Sequence, residues 1–184
     1  QTERSLKAIK EVQPQPIPFE LLLDHLNLGE RWVNINMYSS FCNWLFESNG
    51  DCVVNYFSSL DEFKVTCNYG YWNYGKISRE YFVSSKGRTT LNGMELLEHA
   101  MEDTRPHFTY KVGDTTMVDN DAIQLANDKI EEMRRKWTEW LYQLPKEEKD
   151  ALVTTYNNLY NCYVLRKYDG SHMKFPGLDL SKLG

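Results

Sequence analysis

Seven apolar residues, Ile123, Ala126, Ile130, Met133, Trp137, Trp140 and Leu144, recur at alternating steps of three and four along "NDAIQLANDKIEEMRRKWTEWLYQL". Only a helix puts such positions on one side, because 3.6 residues complete a turn. The stripe is close to a heptad and predicts a long amphipathic helix with two indoles on its buried face. Asp119, just ahead of it, suits the N-terminal end of the helix, where its charge meets the positive pole of the dipole. Pro145 stops the helix. Leu152, Tyr156, Leu159 and Tyr163 repeat the spacing beyond it, which predicts a second helix and, given the short link, an antiparallel helical hairpin.

The rest of the chain has to cover that stripe. "PFELLLDHLNLG" predicts a short helix stopped by Gly29. "VNINMYSSFCNWLFES" predicts another, with Met37, Phe41, Trp44 and Leu45 inward. "SNGD" (48–51) is turn chemistry. Three β-branched and aromatic runs follow, "CVVNYF" (52–57), "EFKVTC" (62–67) and "ISREYFVS" (77–84), each read as a strand. A helix is expected over 91–103, with Leu91, Met94, Leu97 and Met101 along one side, and two short strands at 107–112 and 115–118. This is an α+β plan: a small antiparallel sheet with flanking helices and a C-terminal antiparallel helical hairpin.

The expected organisation has three parts. Residues 1–18 are an arm or linker, because "VQPQPIP" carries prolines at alternate positions and favours extended backbone. Residues 19–165 form a single α+β domain. Residues 166–184 connect onward. Both ends of the chain read as cut from something larger.

A length of 184 residues suffices for one well-filled core. With 12 Tyr, 8 Phe and 5 Trp, large rings fill it, and some are left for a partner or for stacking on bases. The formal net charge of −5 shows no global nucleic-acid footprint. No apolar run approaches the ~18 residues of a membrane span, so no membrane partner is expected. Cys42, Cys52, Cys67 and Cys162 are scattered without a CxxC pair, which reads as free thiols in a reducing compartment and a cytoplasmic protein.

Motifs that would carry chemistry are sparse. There is no P-loop, GxSxG elbow or HExxH in the sequence. His25, His99, His107 and His172 have no metal-ligand spacing and read as ordinary side chains. "DNDAIQ" (119–124) opens like a calcium loop, but Ile123 and Gln124 stand where oxygen and Gly are needed. Asp51 ahead of one strand and Glu62-Phe63-Lys64 opening the next could hold magnesium as in many nucleases, although a solvated strand face reads the same way. Arg134-Arg135-Lys136, preceded by Glu131-Glu132, reads as a salt-bridged helix face. Arg166, Lys167 and Tyr168, followed by His172, Lys174 and Phe175, combine cations and rings. They suit docking to another domain or contact with nucleic acid, docking being favoured in an acidic chain.

The segment "YNNLYNCYVLRKYDGSHMKFPGL" (156–178) resembles a stretch of very large bacterial proteins that join an N6-adenine DNA methyltransferase to a superfamily 2 helicase. Such proteins occur on phages, plasmids and conjugative elements, and include anti-restriction proteins. The family pattern appears here as Tyr156-Asn157, Tyr160-Asn161, Arg166, then Tyr168 to Met173 and Phe175-Pro176-Gly177, just before the helicase begins. Gly170-Ser171-His172-Met173 imitates an affinity-tag scar, but within this pattern it reads as native. Leu28-Gly29 with Trp32, residues 85–102 and residues 119–141 are similar to the same pre-helicase region.

The resemblance implies a parent that uses S-adenosylmethionine, ATP and magnesium. Its catalytic motifs, an Asn-Pro-Pro-Tyr type upstream and Walker motifs downstream, have no counterpart here, so no catalytic residue carries over and no cofactor is expected in this segment. What it implies is a non-catalytic connecting module, partnered by the neighbouring methyltransferase and helicase domains, with DNA as a further partner. A free-standing DNA-binding module is the alternative, and a magnesium-dependent nuclease the second.

Overall fold

The computed structural model describes residues 14–68 and 75–163. Three helices and one hairpin enclose the core: α2 (Ile35–Phe46), α3 (Gly93–Met101), α4 (Asn120–Gln143) and the pair β1 (Cys52–Phe57) with β2 (Glu62–Cys67). A single turn of helix, α1 (Phe19–Leu22), precedes them and tightens into a 3-10 turn at Leu23–His25. Two more antiparallel pairs follow, β3 (Val83–Ser84) with β4 (Thr90–Leu91) and β5 (Thr109–Val112) with β6 (Thr115–Val118). Helix α5 (Lys146–Tyr160) follows Pro145. The fold is α+β, with small antiparallel sheets and flanking helices.

Trp137 is the centre. It is 1% exposed and lies 5.3 Å from Tyr38, 5.1 Å from Phe41 and 5.3 Å from Trp140, ring centre to ring centre. Its indole N–H donates to the Leu26 carbonyl at 2.9 Å, so the one polar atom of the ring is satisfied inside the core. Ala126, Ile130, Met133, Trp140 and Leu144 of the expected stripe are buried with it, and Ile123 is half-buried.

Helix α2 presents Tyr38, Phe41, Cys42, Leu45 and Phe46 to this core, while Trp44 turns outward. In β1 and β2, Cys52, Val54, Phe63 and Val65 point inward and their neighbours outward, the period of two expected of a half-buried sheet. The ends are chemically specified. Asn34 caps α2, and Asn92 and Glu95 form a capping box on α3. The Asp119 carboxylate accepts the Ala122 N–H of α4, as expected, and also the Lys86 backbone N–H at 2.7 Å. It thereby ties the long helix to the β3–β4 turn.

The third expected strand is not a strand over most of its length. Residues Lys76–Glu80 form a turn of π-helix, closed by the Tyr81 N–H on the Lys76 carbonyl, and only Val83–Ser84 is extended. The reason lies in the period. A strand that buried Ile77, Tyr81 and Val83 would also turn Arg79 inward, whereas a helical turn buries Ile77 and Tyr81 together and leaves Arg79 in solvent. Among the described residues the strands form three separate two-stranded pairs.

The cysteine expectation is also corrected. The β1–β2 register sets Cys52 directly opposite Cys67, and the two are joined as a disulfide. They stand 15 positions apart in sequence, so only the hairpin register reveals the pairing. Cys42 and Cys162 are free thiols, the first buried and the second exposed.

The helical pair at the C-terminus is present, but α5 does not lie back along α4. Past Pro145 its contacts run chiefly to α1, with Leu152 buried beneath it and Lys149 over the Phe19 ring. No helix among the described residues is long and apolar enough to cross a membrane.

Candidate functional site

The arm and the last helix meet in a clasp. Pro14, Pro16 and Pro18 hold the arm extended and remove their own N–H groups, leaving Gln15 and Ile17 as the only residues of 14–18 with a backbone donor. Asn157 on α5 takes both sides of Ile17: its Oδ1 accepts the Ile17 N–H at 2.8 Å, and its Nδ2 donates to the Ile17 carbonyl at 3.0 Å. One turn on, Asn161 Nδ2 donates to the Gln15 carbonyl and to Asn157 Oδ1, both at 2.8 Å. Two side-chain amides thus bond the arm as a neighbouring strand would.

The alternate residues of the same helix face another way. Tyr156 packs on Trp32 at 5.4 Å and on Tyr160 at 5.3 Å, and His25 stacks on it at 6.5 Å. Tyr160 is half-exposed and meets the Trp32 edge. So in Tyr156-Asn157 and Tyr160-Asn161 the rings hold the Trp32 loop and the amides hold the arm. Beside this aromatic wall runs a groove of about 530 Å3 between Trp32, the start of α2 and the Glu148–Thr155 side of α5.

On another face, the 26–31 loop, the end of α3 and the middle of α4 bound an open cleft of about 820 Å3. Gly29 places the loop there, at φ +99° with its Cα against the Met101 carbonyl, where any Cβ would collide. Two arginines cross-link the rim. Arg31 pairs with Asp61 at 2.8 Å and Glu102 at 2.7 Å, donates to the Gly29 carbonyl, and lies 4.5 Å above the Phe63 ring. The Tyr56 hydroxyl, then Arg31, hold the Asp61 carboxyl below the usual carboxylate range. Arg134 pairs with Asp103 at 2.7 Å and Glu131 at 2.8 Å.

The basic run on α4 is engaged as its sequence suggests. Besides Arg134, Arg135 reaches Glu139 at 3.9 Å, and Lys136 lies 3.2 Å from Glu132 and donates to the Tyr81 hydroxyl. Each cation faces a carboxylate, the expected salt-bridged surface.

The magnesium arrangement does not assemble. Asn68 donates to the Asp51 carbonyl at one end of the β1–β2 hairpin, while Glu62 pairs with Phe57 at the other. Six residues of strand, roughly 20 Å at about 3.4 Å each, separate them. Lys64 bonds Glu98 of α3 instead. Of the histidines, His25 stacks in the aromatic wall and His99 contacts Thr104 at 2.6 Å; among the described residues no histidine joins a metal-ligating cluster. Arg166, Lys167, Tyr168, His172, Lys174 and Phe175 lie outside the described residues.

The sequence reading missed two features. Glu98 on α3 and Glu102 at its C-terminal cap, one helical turn apart, accept the backbone N–H groups of Val65 and Phe63 at 2.9 and 2.6 Å. Their spacing of four looks like any exposed helix face, and only the packed hairpin reveals their use. The clasp was equally hidden, although alternate prolines at one end and paired Asn at the other are its two halves.

No curated protein matches this chain, and no solved structure does. One family model matches, over residues 27–162, from just ahead of Gly29 to just past Asn161. The chain belongs to the family described as a domain of unknown function (DUF8437).

Proposed function

We propose that this chain is a non-catalytic connecting module of a DNA methyltransferase–helicase. It sets the helicase at a fixed angle to the methyltransferase and offers a path for DNA between them. The observation that carries this reading is the clasp. The arm leading in at Gln15–Ile17 and the helix leading out at Asn157–Asn161 are fastened side by side. A module held in that way transmits orientation from one flanking domain to the next, because its two connections cannot swing independently. The rigid core beneath and the resemblance of residues 156–178 point the same way.

The test is the coding sequence on either side. An Asn-Pro-Pro-Tyr motif upstream and a Walker motif downstream are expected, and the lack of either overturns the assignment. A mobility-shift titration of the isolated chain with duplex DNA separates the alternative. The connecting module binds weakly and loses binding steeply with salt, whereas tight binding at physiological salt favours a free-standing DNA-binding module.

A further inference from the structure

We propose that Cys42, Cys52 and Cys67, once reduced, form a three-thiolate site for one soft divalent cation of the zinc class. Three elements contribute one sulfur each: the inner face of α2, the first residue of β1 and the last of β2. The three sulfurs lie within 4.8 Å of one another. A tetrahedral zinc–thiolate centre, with Zn–S about 2.3 Å, places its sulfurs about 3.8 Å apart. The cluster is therefore already of the right size, and opening the Cys52–Cys67 bond by less than about 2 Å completes it.

The scaffold holds this geometry without the bond. Asn43, next to Cys42, grips Cys52 from both sides: its Nδ2 donates to the Cys52 carbonyl at 2.7 Å and its Oδ1 accepts the Cys52 N–H at 3.0 Å. Ser39, one turn earlier, accepts the Val54 N–H at 3.0 Å. Helix and strand are thus locked together at the sulfurs, the supporting shell that a ligand set needs. Cys42 is fully buried, so a bare thiolate is disfavoured there and a bound cation supplies the charge that makes it tolerable. Cys67 is only half-buried, so solvent can fill the fourth position, as in zinc sites with three protein ligands.

The chemistry balances. Two electrons and two protons from a dithiol, which closes to its own disulfide, convert the Cys52–Cys67 bond to two thiols. The cation then displaces three thiol protons to solvent and forms three metal–sulfur bonds. With the disulfide closed, two of the three ligands are blocked.

The test uses the whole chain, reduced with a phosphine, freed of reductant without air, and titrated with Cd2+. One equivalent is expected to saturate the thiolate-to-cadmium ultraviolet band and to protect three of the four thiols from a thiol-reactive dye, under denaturant conditions in which the reduced, metal-free chain reacts at all four. The oxidised chain and Cys42→Ser should lose the band, and Cys162→Ser should keep it. Absence of the band in the reduced chain overturns the site, as does protection of none or two of the thiols. Equal binding by the oxidised chain or by Cys42→Ser does the same. Thiol protection is read on the unaltered protein, so a misfolded variant cannot mask the answer.

Discussion

The Trp137 core and the Asn157 clasp hold the same chain by opposite means. Around Trp137, stability comes from large rings removed from water, and direction matters little: Tyr38, Phe41 and Trp140 meet it at three different angles. At the clasp the fastening is polar, and everything depends on two side-chain amides aimed at the backbone of Gln15 and Ile17. The first is strong and tolerant; the second is weak and specific. A core of the first kind keeps the domain folded, and a contact of the second kind decides where its ends point.

Four substitutions or conditions sharpen that contrast, taken from the largest effect. Trp137→Ala removes the centre of the core and should cost ~3–5 kcal/mol, read as a fall in the denaturant midpoint. An unchanged midpoint would mean that the core does not converge on this ring. Glu102→Ala strands the Phe63 N–H and removes one of the two carboxylates that Arg31 bridges, leaving Asp61, and should cost about 1–3 kcal/mol for the unsatisfied part-buried donor; Glu102→Gln, which keeps an acceptor, should recover part of it. Asn157→Ala should cost only about 1 kcal/mol for the half-buried clasp. Hydrogen exchange at the Ile17 amide should nevertheless rise sharply while amides of α4 stay protected. Equal loss of protection in both places would erase the distinction between core and clasp.

The smallest effect is one of pH. The Lys86 backbone N–H, with the Ala122 N–H and the Lys86 charge, holds the Asp119 carboxyl below its ordinary range. A carboxyl lowered on folding stabilises the fold above its unfolded value, and that contribution disappears as pH falls through the folded value. The melting temperature should therefore fall as pH drops below about 4, and less steeply in Asp119→Asn. Parallel profiles for the two proteins would remove Asp119 from the account.

The same contrast explains what could be read from the sequence. The α4 stripe, the two strands of the first hairpin and the Asp119 cap were legible because each is a local pattern with one period or one residue type. The segment around Ile77 was not, since Ile77 and Tyr81 satisfy both a strand and a helical turn, and Arg79 decides between them only once inside and outside are known. The disulfide needed a register, and the clasp needed two segments 140 residues apart. The residues read as a docking element, Arg166 to Phe175, lie beyond the described part of the chain, so the site that could be recognised from sequence and the one that geometry displays are adjacent in sequence rather than the same.

The two carboxylates that bond β2 from α3 and its cap reach beyond stability. A two-stranded hairpin has two open rims, each a template on which a stray polypeptide can add itself and start a growing stack. Glu98 and Glu102 already occupy the Val65 and Phe63 amides on one of them. A newcomer there must evict two charged acceptors for neutral ones. That rim is insulated against self-association, by a helix that the same chain folds over it.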